Sequence, residues 1–165
     1  MALMKKVLTT QLMMALSGGG PHGSRYPQGP MKPGEDIAKS FEIYLKGALN
    51  AGGFPTTGIV TTSAAGMAIG AVFKMQLLVP SSIGTLVGSH LLSMALTYQS
   101  GQQIGPPVAT SSHTPQLINL FSVYQPSATA FAKELAGILD TWTKTWVVSG
   151  LIPGSPPIPF SGPLS

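Results

Sequence analysis

The chain has 165 residues, a formal net charge of +4 and no cysteine. The missing cysteine excludes disulfides, thiol nucleophiles and thiolate metal sites. Charged residues make up 8% of the chain, against about 25% in an ordinary soluble domain, and none lies between Lys74 and Lys133.

A monomer needs surface charge to stay soluble and unassociated. A chain this poor in charge gives its surface to lipid, to copies of itself or to other proteins. Its basic residues are scattered, with Lys5 and Lys6 as a pair, Arg25 and Lys32 in a Gly/Pro loop, and Lys39 and Lys46 interleaved with acids. There is no basic stripe with interleaved aromatics, so nucleic-acid binding is not expected.

The first predicted helix is Ala2–Leu16, weakly amphipathic, with Leu3, Val7, Leu8, Leu12 and Leu16 near one face. Lys5 and Lys6 before an apolar run resemble the start of a signal peptide, but Thr9, Thr10 and Gln11 dilute the run and favour a retained helix. A Gly/Pro-rich loop follows over 17–34. The clearest helix is Asp36–Asn50. Its apolar stripe is Ile37, Phe41, Tyr44, Leu45, Ala48 and Leu49, and Glu42 and Lys46 pair on the far face.

After Pro55, one of Thr61, Thr62 or Ser63 caps a helix running to about Val79, and Pro80 ends it. Ser81 and Ser82 cap the next, to about Tyr98, and 99–112 reads as a loop. Thr114–Pro115 starts a short helix. Ser127 caps the last, Ala128–Ser149, with Phe131, Leu135, Ile138, Leu139, Trp142 and Trp146 as its stripe. Gly150 and Pro153 prevent continuation. The tail 150–165 reads as extended and partly polyproline II, yet Leu151, Ile152, Ile158, Phe160 and Leu164 make it apolar.

No catalytic constellation emerges. His22, His90 and His113 are widely separated, with no second histidine or carboxylate at ligand spacing, so no metal site is expected. Glu35, Asp36 and Glu42 share a solvated face with lysines, while Glu134 and Asp140 lie on one helix. There is no G-x-S-x-G elbow, P-loop or dinucleotide fingerprint. Trp142 and Trp146 share a helical face and read as a core or subunit contact rather than a stacking platform. The expectation is a protein that is not an enzyme and uses no cofactor.

The apolar centre admits two readings. Residues 55–98 could hold two membrane spans, as in a holin-like lysis protein, with Gly66, Gly70, Gly84 and Gly88 packing closely in lipid. Against this, threonines dilute the first half, Lys74 and Pro80–Ser82 interrupt the middle, and no aromatic belt flanks either end. The favoured alternative is a helical protein whose uncharged surfaces are covered by neighbours in an assembly.

The start MALMKKVLTTQLMMAL, the small-residue helices and the ending AGILDTWTKTWVVSGLIPGSPPIPFSGPLS resemble small structural proteins of contractile-tailed phages and related injection systems. The resemblance is one of layout and covers most of the chain. It implies a virion component of tail, baseplate or neck, assembled in the host cytoplasm, with no enzymatic residues to transfer. The expected fold is all-α, a compact bundle of five to six helices over 1–149, with an extended C-terminal interaction arm over 150–165. The expected partners are other subunits of the particle, copies of the chain itself included. The expected contact residues are Trp142, Trp146, Leu151, Ile152, Ile158 and Phe160.

Overall fold

The structure, a computed structural model, describes residues 3–16, 31–75 and 78–165. Within them the chain forms helices α1 (Lys5–Leu16), α2 (Lys32–Leu45), α3 (Thr62–Lys74), α4 (Pro80–Ala95), α5 (Thr114–Ser122) and α6 (Ala128–Thr143). Strands β1 (Thr56–Ile59) and β2 (Tyr98–Ser100) form one antiparallel pair, and β3 (Val147–Ile152) and β4 (Ile158–Pro163) another. The molecule is therefore predominantly helical, but not all-α as the sequence suggested. Most of the predicted 17–34 loop lies outside the described residues; its end, Lys32–Gly34, is the first turn of α2.

Local signals place several helix ends where the sequence puts them. The Ser127 hydroxyl accepts a hydrogen bond from Ala130 N–H at 3.1 Å and caps α6. Pro115 sits in the first turn of α5. Pro80 does not end α3, as the sequence suggested; it opens α4, where its missing N–H costs nothing. Helix α3 has already stopped at Lys74.

Gly66, Gly70, Gly84 and Gly88 pack helices of this chain closely against one another. Gly66 and Gly70 of α3 let α2 approach so closely that a Cβ on Gly70 would meet the Met31 carbonyl oxygen at 2.6 Å. Gly84 and Gly88 do the same between α4 and α5, where a Cβ on Gly84 would lie 2.5 Å from Ile118 Cα. Helices α3 and α4 have 13 and 16 residues, roughly 20 and 24 Å at 1.5 Å per residue. No helix among the described residues is long and apolar enough to cross a membrane.

The core gathers around an aromatic group. Phe41 stacks on Tyr44 and Trp142 with centroids 6.1 and 6.0 Å away, and Trp142 meets Trp146 edge-on at 4.8 Å. Tyr98 closes the other side of Trp146 at 6.1 Å. These rings prefer offset and edge-to-face arrangements because the ring edge is positive and the face negative. A buried polar tie crosses the same core: Tyr44 Oη donates to Asp140 Oδ1 at 2.7 Å, and Lys144 Nζ holds Asp140 Oδ2 at 2.9 Å. Burial first, then the neighbouring carboxylate, pushes the Tyr44 phenol far above its ordinary range.

Candidate interaction surfaces

The two tryptophans anticipated as contact residues are core residues of this chain. Trp146 is fully buried and Trp142 nearly so, and the Trp142 indole N–H donates to the Thr110 carbonyl at 2.7 Å. Trp146 does not continue α6 either. The helix ends at Thr143, and Trp146 precedes β3, reaching the aromatic group from a turn.

The anticipated C-terminal arm is also different. Residues 147–163 form a β-hairpin, with Val147 opposite Pro163, Gly150 opposite Phe160 and Ile152 opposite Ile158. Beyond it Leu164 is 2% exposed, and Leu49 and Ser165 exchange both backbone hydrogen bonds, at 2.9 and 3.0 Å. The tail is thus a folded part of its own domain. Cross-strand pairing satisfies backbone groups that a polyproline II tail would leave to water.

Of the four anticipated tail anchors, Phe160 turns inward. It packs on Phe54 at 6.1 Å, in space that Gly52 and Gly150 leave open by having no Cβ. Leu151 and Ile158 are exposed and Ile152 is half-buried. The last two pair near the hairpin's tip, beside a turn of exposed residues, 153–157.

A third chain segment completes this sheet. Leu151 N–H donates to the Gln102 carbonyl at 3.2 Å, Ile104 N–H donates to the Ser149 carbonyl at 2.9 Å, and Val147 and Val108 exchange both bonds at 3.1 and 2.8 Å. Backbone groups alternate sides along an antiparallel strand. Residues 147, 149 and 151 therefore bond the 102–108 segment, and 148, 150 and 152 bond β4. By the paired register, Ile158, Phe160 and Gly162 face β3, while Pro159, Ser161 and Pro163 face the free edge. Two of those three positions are proline and have no N–H to offer. The edge is closed to strand addition in the way natural sheets protect their edges.

Charge is segregated over the described residues. Every charged side chain lies on α1, on α2 and its cap Lys46, at Lys74 ending α3, or on α6 and its cap Lys144. Helices α4 and α5, both sheets and the loop between β2 and α5 have none. On the charged side Lys39 and Lys46 pair with Glu42 at 2.8 and 2.9 Å. Burial acts to raise the Glu42 pKa, but the two ammoniums outweigh it and hold the carboxyl below its usual range.

A cleft of about 420 Å³ lies between α1, the start of α5 and α6, bordered by Lys5, Glu134, Thr141 and the His113–Trp142 stack. The two rings are 3.6 Å apart, and His113 Nε2 bonds the Gly88 carbonyl at 3.0 Å. Its Nδ1 is buried without a hydrogen bond. Burial pushes the His113 pKa down, against the Gly88 and Thr110 carbonyls, which favour the protonated ring. The cleft has neither a nucleophile–base pair nor converging carboxylates, and no group of three or more His, Asp or Glu residues among the described ones could hold a metal ion.

No known protein family, curated protein or solved structure matches this chain.

The sequence reading missed Ile104 and Val108 as sheet-face residues. No local pattern marks them, because the 102–108 segment joins the sheet only through backbone bonds to Val147, Ser149 and Leu151, distant in sequence.

Proposed function

We propose that this protein is a non-enzymatic structural subunit of a multi-subunit particle, a tail, baseplate or neck component of a virion. The observation that carries this reading is the segregation of charge. Helices α4 and α5, both sheets and their loops have no charged side chain, while Val60, Leu96, Ile104, Val108 and Tyr124 are exposed on them or beside them. Uncharged surface of this extent suits permanent contacts, because nothing ionic has to be stripped of water when a neighbour docks. The hydroxyls along it bond locally: Thr85 to the Ser81 carbonyl, Ser93 to the Ser89 carbonyl and Ser122 to the Ile118 carbonyl. They need no partner from a neighbouring subunit. The resemblance in layout to small phage structural proteins gives the kind of particle.

The test is fractionation of the native source. Particles are purified after detergent has removed membranes, and their proteins are identified and counted by mass spectrometry. The expected result is recovery of this chain at a fixed stoichiometry with the particle proteins. Recovery only in the detergent-extracted membrane fraction refutes the proposal.

A further inference from the structure

We propose that the cleft between α1, α5 and α6 binds a small zwitterion, a free α-amino acid, with its carboxylate on Lys5 and its ammonium on Glu134. The site lies on the charged side of the molecule. It is independent of the assembly reading, which rests on the uncharged side.

The cleft holds about 420 Å³, within the range of sites that take small molecules. One ammonium and one carboxylate border it, Lys5 and Glu134, and neither makes an ion pair among the described residues. The other acid of α6, Asp140, is already occupied: Tyr44 donates to one oxygen at 2.7 Å and Lys144 holds the other at 2.9 Å. Glu134 is therefore the carboxylate of α6 left for a ligand. A lone ammonium in the cleft would select an anion, and a lone carboxylate a cation. With both present, each simple ion meets one like charge, and a molecule that carries both signs is favoured over either.

Gly137 makes the place for Lys5. Glycine is, after proline, the least favourable residue inside a helix, and Gly137 lies in the interior of α6. The glycines of α3 and α4 admit a neighbouring helix. Gly137 admits none: among the described residues, the atoms within 4 Å of where its Cβ would be are Nζ and Cε of Lys5, at 3.3 and 3.7 Å. The missing side chain lets the ammonium lie against α6. Glu134 stands three residues earlier, a neighbour on the same helix surface, yet beyond ion-pair reach of Lys5. An α-amino acid carries its ammonium and carboxylate on one carbon, a short spacing suited to bridging two such groups.

The inner wall adds an acceptor. His113 Nε2 faces the Gly88 carbonyl at 3.0 Å. A carbonyl only accepts, so Nε2 carries the proton of the neutral ring and Nδ1 is left as an acceptor. His113 is 1% exposed and its Nδ1 has no hydrogen bond, whereas buried polar groups are almost always paired. An ammonium is a donor that suits both this nitrogen and the Glu134 carboxylate. Ile138, half-buried on the same cleft, offers contact to an aliphatic side chain.

The test is an NMR titration of the isotope-labelled full chain at neutral pH, where free amino acids are zwitterions, with glycine and with L-leucine. The expected result is saturable shifts at the amides of Gly137 and Ile138 and at the Trp142 indole N–H. L-leucinamide lacks the carboxylate and N-acetyl-L-leucine lacks the ammonium; each should bind at least about tenfold more weakly than L-leucine. Lys5 and Glu134 are exposed, so Lys5→Met and Glu134→Gln keep the fold, and each should weaken leucine at least about fivefold. Gly137→Ala should raise the unfolding midpoint, as alanine does inside a helix, and weaken leucine by displacing Lys5; a glycine without a role in binding would change stability alone. No saturable shift with either amino acid up to about 20 mM, enough to detect millimolar affinity, overturns the proposal. So does leucinamide or N-acetyl-leucine binding as well as leucine, which would make the cleft a cation or an anion site, or unchanged affinity in both charge variants.

Discussion

Leu164 decides whether the C-terminus is an arm for a neighbour or part of this domain. Its side chain is 2% exposed, in a core that also takes Val148 and Trp146. Leu164→Ala removes a buried isobutyl group while the reciprocal Leu49–Ser165 backbone bonds, at 2.9 and 3.0 Å, remain. Truncating a buried leucine costs about 2–5 kcal/mol, the lost transfer energy plus the cavity left behind. Against a total stability of roughly 5–15 kcal/mol, that is a large fraction. With a urea slope of about 2 kcal/mol per molar, the middle of the usual range, the midpoint should fall by about 1–2.5 M. Deleting Leu164 and Ser165 together should cost about 1 kcal/mol more for each backbone bond lost. The matched control is Leu151→Ala, on the outward face, which should cost under about 1 kcal/mol. Urea unfolding followed by tryptophan fluorescence is the assay, since Trp142 and Trp146 are buried in the folded state. A Leu164→Ala midpoint within error of the Leu151→Ala midpoint would show that the tail is not anchored in its own domain.

Gly84→Ala should destabilise by about 1–3 kcal/mol, because the new methyl meets backbone atoms of Ile118 and the helices must separate. Gly58→Ala, with open space around its Cβ position, should stay within about 0.5 kcal/mol in the same urea unfolding assay. Tyr44→Phe should cost about 1.5–3 kcal/mol, because a buried bond to the Asp140 carboxylate is lost; a midpoint equal to the parent's would remove that tie from the account. The pH dependence of unfolding should carry a contribution from His113. Its pKa is depressed in the folded state, so the unfolded chain binds the extra proton. Stability is complete above about pH 6.5 and falls as pH drops below that value. His113→Gln should flatten the slope just below pH 6.5, and an unchanged slope there would contradict the assignment. Glu42, with a depressed carboxyl pKa, acts in a separate window, its contribution being lost as pH falls from about 4.5.

The helices were legible because their signals are local. Ser127 as a cap, Pro115 in a first turn and the Ile37–Phe41–Leu45 stripe each act within a few residues, and each sits on its helix. The charge-free stretch after Lys74 was equally plain, since composition needs no fold to be read. Tertiary structure alone decided what long-range contacts decide. Trp142 and Trp146, four apart, look like one helical stripe, but a turn after Thr143 also brings both rings to Phe41, and only packing chooses between them. Gly66, Gly70, Gly84 and Gly88 announce close helix packing without saying which helices meet; the structure pairs α3 with α2 and α4 with α5. The Pro-rich tail carries too little local β signal to declare a hairpin. Its strands are held by partners distant in sequence, Gln102, Val108 and Leu49, and strand pairing gains its energy from such neighbours rather than from the strand's own residues.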